Sequence, residues 1–375
     1  MTQGTESTPS SRSRHYAILD ALRFVLALWV VMGHFGLPPF FAGADETNYL
    51  VRLLSHAYSS TVYGITAVMC FFVISGFCIH LPFRAGETLP VPRFYARRYI
   101  RIGIPVLAGV AIFRIAGNHQ PLFGSNSMWW SSVLWSLLCE EIYYGFYPLM
   151  LWCRRKLGWK WLFAPIFLCS AAMTLTHVHR TTWGDFGPWQ TAVILYPVWI
   201  LGCLLAEQSK DLKPVKSPAE IWRWRFLVWV CAWICEMLNF KAGVYFPQTM
   251  VMFGFIAFLW LRKELSFQVE RIEMGITTRI LAAAGAWSYS LYLMHVPARD
   301  IFQRVKLPNF GPLVNWALST VFIMAFSYIF YLIVERPSHR FARKVGAFQV
   351  KSGGSIPSKE RSRPPRSQSE QRLIS

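Results

Sequence analysis

Apolar residues gather into ten long runs, at roughly 18–37, 59–80, 99–117, 129–151, 160–177, 190–206, 222–240, 246–262, 278–297 and 313–334. A bilayer core of about 30 Å needs about 20 apolar residues in a helix, so each run is long enough to cross or nearly so. The runs are continuous rather than alternating, which points to helices and against a β-barrel. The pattern predicts an all-α, polytopic transmembrane bundle of about ten spans. It divides the chain into a polar leader over 1–17, a membrane domain over 18–336 and a Ser-, Pro-, Lys- and Arg-rich tail over 337–375. Leader and tail are expected to be disordered. The leader MTQGTESTPSSRSRHY precedes the first run, and no small-residue cleavage site follows that run. We therefore expect a retained first span rather than a signal peptide.

Charge adds orientation. The formal net charge of +19 could suggest nucleic-acid binding. Its distribution argues otherwise. With ten spans, one side receives Arg93, Arg97, Arg98 and Arg101, then Arg154, Arg155, Lys156 and Lys160, then Lys210, Lys213, Lys216, Arg223 and Arg225, then Arg262, Lys263, Arg271 and Arg279, and finally the tail. The other side holds only Arg52, Arg180, Lys241, Arg299, Arg304 and Lys306, beside Asp45, Glu46 and Asp185. The excess of Lys and Arg on one side predicts that both termini are cytoplasmic. No internal repeat is visible, which weighs against an inverted-repeat transporter. The eight Cys lie mostly in apolar runs and read as packed thiols. Cys231 and Cys235, one turn apart, read the same way, so no metal site is expected.

Ionisable groups inside these runs carry the chemistry, because such groups are costly in a bilayer and usually face a bundle interior or wet cavity. The first run, ILDALRFVLALWVVMGHFG, holds Asp20, Arg23 and His34. Arg23 and His34 are separated by about 16 Å of helical rise and return to nearly one face. Taken alone, Arg23 reads as a snorkelling residue and His34 as a headgroup residue. Together they predict a polar internal path, with Asp20 pairing to Arg23. Orientation places Arg23 near the cytoplasmic face and His34 near the outer one. It also places His295, on the ninth span, at the depth of His34.

In CFFVISGFCIH, Ser75 and Gly76 suit close helix packing, and Ser75 as a nucleophile lacks a local base. In PRFYARRYIRIGIP, Arg97, Arg98 and Arg101 either orient the span or form a phosphate site, since guanidinium forks bind phosphate bidentately. Glu140 and Glu141 fall near mid-membrane, diverging by about 100°, so they should serve different partners. Arg114 and Glu236 read as cavity or interface residues. Glu335 and Arg336 are expected to pair at the cytoplasmic face.

These residues resemble those of acyltransferase family 3, integral membrane proteins that O-acylate cell-surface glycans and related acceptors. LDALRFVLALWVVMGH is similar to the family's leading motif, with ten residues between Arg23 and His34. FFVISGF, RFYARRYIRIGIP, WSLLCEEIYYGFYP, SYSLYLMH and VERP resemble its later motifs, in family order. The resemblance implies acyl transfer from cytoplasmic acyl-CoA to a hydroxyl acceptor, with His34 and Arg23 essential and roles for Arg98, Arg101 and Glu140. Some members add an extracytoplasmic catalytic domain. Here only the short basic tail is read after the last span, so a two-stage relay is expected either to use another protein or to be absent.

The expectation is therefore an O-acyltransferase of the inner (plasma) membrane. His34 is the candidate general base. Arg23 and Glu140 organise the polar path, Arg97, Arg98 and Arg101 hold CoA phosphates, and Asp20, Ser75, Glu141 and His295 support. The expected donor is acetyl-CoA, with no permanently bound cofactor, and the expected acceptor a carbohydrate or lipid-linked glycan of the polysaccharide type. The rivals are a transporter of a glycan or small anion, and an acyl or lipid carrier without turnover.

Overall fold

The computed structural model describes residues 11–45, 47–121, 127–128, 132–215, 217–270, 275–305 and 307–352, with backbone alone at 11–16, 268–270 and 346–352. Glu46, Lys216, Arg271, Lys306, the side chains of Arg12 and Arg14, the start of the fourth run and the tail beyond 352 lie outside the described residues.

All regular structure in the described residues is helical. The helices are α1 (Ser11–Phe35), α2 (Tyr49–Ser59), α3 (Gly64–His80), α4 (Val91–Ile115), α5 (Leu134–Thr176), α6 (Trp183–Gln208), α7 (Pro218–Lys241), α8 (Phe246–Glu270), α9 (Ile276–Gly285), α10 (Ser288–Arg304), α11 (Pro312–Phe330) and α12 (Arg336–Ser352). A single wide turn, Tyr331–Glu335, joins α11 to α12. Every apolar run falls on a helix. The fourth and fifth runs share α5, which turns at Gly158, where φ is 80°. Only glycine adopts that conformation without strain. The ninth run is interrupted, ending α9 at Gly285 and restarting as α10 at Ser288. The helix after the tenth run, α12, continues to Ser352, so the first part of the stretch expected to be a disordered tail from 337 is helical.

Among the described residues, five segments are long and apolar enough to cross a membrane: Ala17–Phe35, Tyr49–Phe83, Leu134–Thr176, Trp183–Gln208 and Pro312–Val345. Large apolar side chains, including Leu107, Leu168 and Val321, stand exposed on the outer surface. Exposed apolar surface of this kind is what a bilayer covers. This is a helical membrane protein.

The centre of the bundle is α3, buried along nearly its whole length. Its neighbour α6 approaches until the backbones touch. A Cβ on Gly76 would lie 2.0 Å from Trp199 O, and one on Gly202 would lie 2.1 Å from Val73 O. Gly285 allows the same approach of α9 to α1, with Asp20 O 2.1 Å from the position of a Cβ. Small residues at such crossings replace the hydrophobic driving force that helices lack in lipid. At another edge, α7 and α8 are clasped by Arg225, which meets fully buried Glu264 at 2.6 and 3.0 Å.

Gly76→Ala should therefore destabilise the fold more than Gly103→Ala, a position where a Cβ meets nothing within 4 Å. Overpacking a tight contact typically costs about 1–3 kcal/mol. Thermal unfolding in detergent measures the difference. Equal melting temperatures for the two variants would contradict the close contact.

Candidate active site

The broken ninth run, the first span and the middle of the bundle enclose a cavity of about 410 Å³. Arg23 enters from α1, Ser75 from α3, Arg98 and Arg101 from α4, Glu140 and Tyr144 from α5 and Glu335 from the turn after α11. Arg23 donates to Asp20 Oδ1 at 3.2 Å, the expected pair, and contacts Cys78 Sγ at 3.3 Å.

Tyr144 is the hub, and no feature of its sequence surroundings marked it. Trp199 Nε1 donates to Ser75 Oγ at 3.2 Å. Ser75 and Tyr144 share a hydrogen bond of 2.9 Å, and the Tyr144 hydroxyl donates to Glu140. An indole N–H only donates, and Tyr144 spends its proton on Glu140, so Ser75 must donate to Tyr144. The Ser75 hydroxyl is thus engaged on both sides rather than presented as a free nucleophile. The Arg98 guanidinium lies over the Tyr144 ring, 5.1 Å from its centroid. Glu141 is absent from the cavity wall. Both its carboxyl oxygens are buried without a hydrogen-bond partner among the described residues, so the two adjacent carboxylates do part as helix geometry requires.

A second cavity of about 500 Å³ opens beside the first and shares Cys78, Ile79, Arg98, Arg101, His339 and Arg343 with it. Arg93 and Arg97 complete a lining of five guanidinium groups with no carboxylate. Arg97, Arg98 and Arg101 are brought together as the spacing predicts. Arg93 was legible in the same stripe, four residues before Arg97 and eight before Arg101. Arg343 and His339 come from α12, which docks on α4 through the Ser338 hydroxyl on Ile100 O at 2.6 Å. Arg101 Nε donates to His339 Nε2 at 3.2 Å.

Glu335 does not pair with Arg336. It is buried and turned into the cavity, where it accepts from the Ser290 backbone N–H at 3.1 Å and from the Ser290 hydroxyl, with His339 Nε2 3.5 Å away. The wide turn Tyr331–Glu335 shifts the helix register and aims Glu335 inward while Arg336 stays exposed. Such turns interrupt the regular helical ladder and often mark functional sites. Arg114 bonds to Asn118 O at 3.2 Å and lies outside both cavities, as does Glu236.

His34 is not in the cavity either. It stands at the far end of α1, exposed, with Nδ1 2.9 Å from Val30 O. His295 lies beneath it, fully buried, with ring centroids 4.9 Å apart. The two histidines do meet, at the shared depth expected of them. The continuous polar path from Arg23 to His34 does not exist in this conformation. Tyr292 divides it, with its hydroxyl tied to Ser136 Oγ at 2.6 Å and Val133 O at 3.0 Å, and its ring 6.0 Å from Phe71. The opposite edge of Tyr292 faces His295 at 5.9 Å. An arginine-walled chamber and a histidine pair thus stand on either side of one aromatic partition.

A family model described as an acyltransferase domain matches residues 16–332. The chain belongs to acyltransferase family 3. It is also similar to "Acyltransferase MdmB" of Streptomyces mycarofaciens, with 22% identity over 361 residues covering 84% of this chain and 87% of that one. No solved structure matches. The protein is an acyltransferase, and the matched region contains most of α1, all of α2 to α11 and the first part of the turn that carries Glu335. In this acyltransferase the second cavity, an arginine vestibule, shares Arg98 and Arg101 with the first, the chamber, and Tyr292 lines the chamber and also contacts His295 of the histidine pair.

Proposed function

We propose that this acyltransferase takes an acyl group, acetyl, from acyl-CoA at the arginine vestibule and delivers it to a hydroxyl of a carbohydrate or lipid-linked glycan beside His34. The acid-free vestibule of Arg93, Arg97, Arg98, Arg101 and Arg343 carries this reading. CoA is a polyanion, and guanidinium forks match phosphate oxygens in pairs. Its pantetheine arm would lie along the chamber, past Arg23 and Glu140, and present the thioester toward Tyr292. His34 would take the acceptor proton. Arg23 and Glu140 would hold the chamber's polar lining, Asp20 would hold Arg23, and Ser75 would hold Tyr144. No resident cofactor or metal enters the scheme.

The charge alternation supports ten spans in the inner (plasma) membrane, with vestibule and termini on the cytoplasmic side and His34 on the other. Reporter fusions at Asn48 and after the tail should then fall on opposite sides. The same side for both would overturn this topology.

The activity is tested on purified protein in bilayers with acetyl-CoA. Release of free CoA that depends on His34 is the expected result. A transporter or an acyl carrier would release none.

A further inference from the structure

The histidine pair has one property that the scheme above does not use. His34 Nδ1 lies 2.9 Å from Val30 O, and His295 Nδ1 lies 2.5 Å from Tyr292 O. A carbonyl oxygen accepts and never donates, so Nδ1 carries the proton in both rings. Each ring is left with one lone pair, on Nε2. In His295 that atom is buried, and no hydrogen-bond partner reaches it among the described residues. A buried acceptor without a donor is a standing cost of about 1–3 kcal/mol.

The surroundings narrow what could donate there. Phe35 lies 5.6 Å from the His295 ring and Tyr292 5.9 Å, and the Tyr292 hydroxyl is spent at Val133 and Ser136. The titratable group facing His295 is His34, at 4.9 Å and edge to face. The charged group facing His34 is Arg299, whose guanidinium lies 4.5 Å from the Phe35 ring centroid. Arg299 is itself beside Asp300 on α10. No carboxylate among the described residues faces either imidazole. His34 is exposed and His295 is not, so a proton arriving from a ligand reaches His34 first.

We propose that His34 and His295 act as one base holding a single proton, with His295 as a positioning residue that shares the proton His34 receives. The proposal rests on the acyl-transfer reading. The acceptor O–H bond breaks and its proton passes to His34 Nε2. The oxygen's electron pair forms the new bond to the acyl carbon. The C–S bond breaks, and its pair leaves on the CoA sulfur. His34 has become an Nε2–H donor, and the His295 ring, 4.9 Å away between centroids, holds the buried, unpartnered Nε2 acceptor. The shared proton returns to the thiolate sulfur and gives the CoA thiol, so nothing is oxidised or reduced. A second proton would set two imidazolium rings side by side next to Arg299, which like-charge repulsion and burial oppose. The proton therefore belongs to the pair.

The test is solid-state ¹⁵N NMR of the full chain, labelled at histidine, in bilayers. His34→Gln and His295→Gln assign the two rings by difference. The expected result is Nδ1–H in both neutral rings and uptake of one proton by the pair as pH falls. In His295→Gln, His34 should take its proton only at lower pH, and acetyl-CoA hydrolysis should fall about tenfold or more with KM for acetyl-CoA unchanged. In His34→Gln, His295 should stay neutral over the range in which the wild-type pair titrates. An Nε2–H tautomer in either ring, two independent protonations, or an unchanged His34 titration in His295→Gln would overturn the proposal. Because titration is read without turnover, absence of CoA release in the wild type counts against the acyl-transfer reading alone.

Discussion

His34→Gln is expected to lower acyl transfer by about 10² to 10⁴, the usual loss when a positioned base is removed. The exposed position of His34 makes this a clean change. Gln keeps an N–H for the Val30 carbonyl and nearly the same volume, but it has no lone pair that can take and hold a proton. Its substitution disturbs no packed core, since the buried member of the pair is His295. Donor binding should be nearly unchanged, because the vestibule and chamber do not include His34. The wild-type rate should also fall as pH falls, because the base acts in its neutral form. Turnover measured with acetyl-CoA, alongside melting temperature, decides the point. A folded His34→Gln protein with wild-type turnover would move the base to His295 or across the partition to Glu140.

The second large effect is on the donor. Replacing Arg98 and Arg101 together by Ala should weaken acyl-CoA binding by about 10² to 10⁴, since each charge-assisted hydrogen bond contributes about 1.5–3 kcal/mol. These two line both cavities, where a phosphate chain would have to pass from vestibule to chamber. A dephospho-CoA thioester should lose less, because it lacks one of the groups the arginines hold. Lys replacements should restore part of the affinity, since Lys keeps the charge and loses the fork. Calorimetry with both donors checks this. Equal losses would reduce the cluster to a device for orientation or folding, a role that Arg98 on Tyr144 and Arg101 on His339 also allow.

Much of this site was legible before any coordinates. Arg97, Arg98 and Arg101 share a short helical stretch, so spacing alone brings them together. The Asp20–Arg23 pair is three residues long and equally local. Arg93 sits in that same stripe and was missed only because the phosphate reading stopped at Arg97. Span direction puts His34 and His295 at one expected height, while their contact is a product of the packing.

Other features could not be read. Tyr144 reaches Glu140 within one turn of α5, but its bond to Ser75 crosses to α3, 69 residues away in the chain. Glu335 faces inward because one wide turn shifts the register after α11, and nothing in VERP announces that shift. The partition at Phe71 and Tyr292, which parts Arg23 from His34, joins α3 to α10 across more than two hundred residues of chain. Sequence by itself determined the helices, their polar cargo and its depth, because lipid penalises any backbone left unpaired and any charge left bare. Which polar groups on different helices meet was decided by tertiary structure, because packing, including the close glycine contacts of α3 with α6 and of α1 with α9, fixes how helices are rotated about their axes, and periodicity leaves that rotation open.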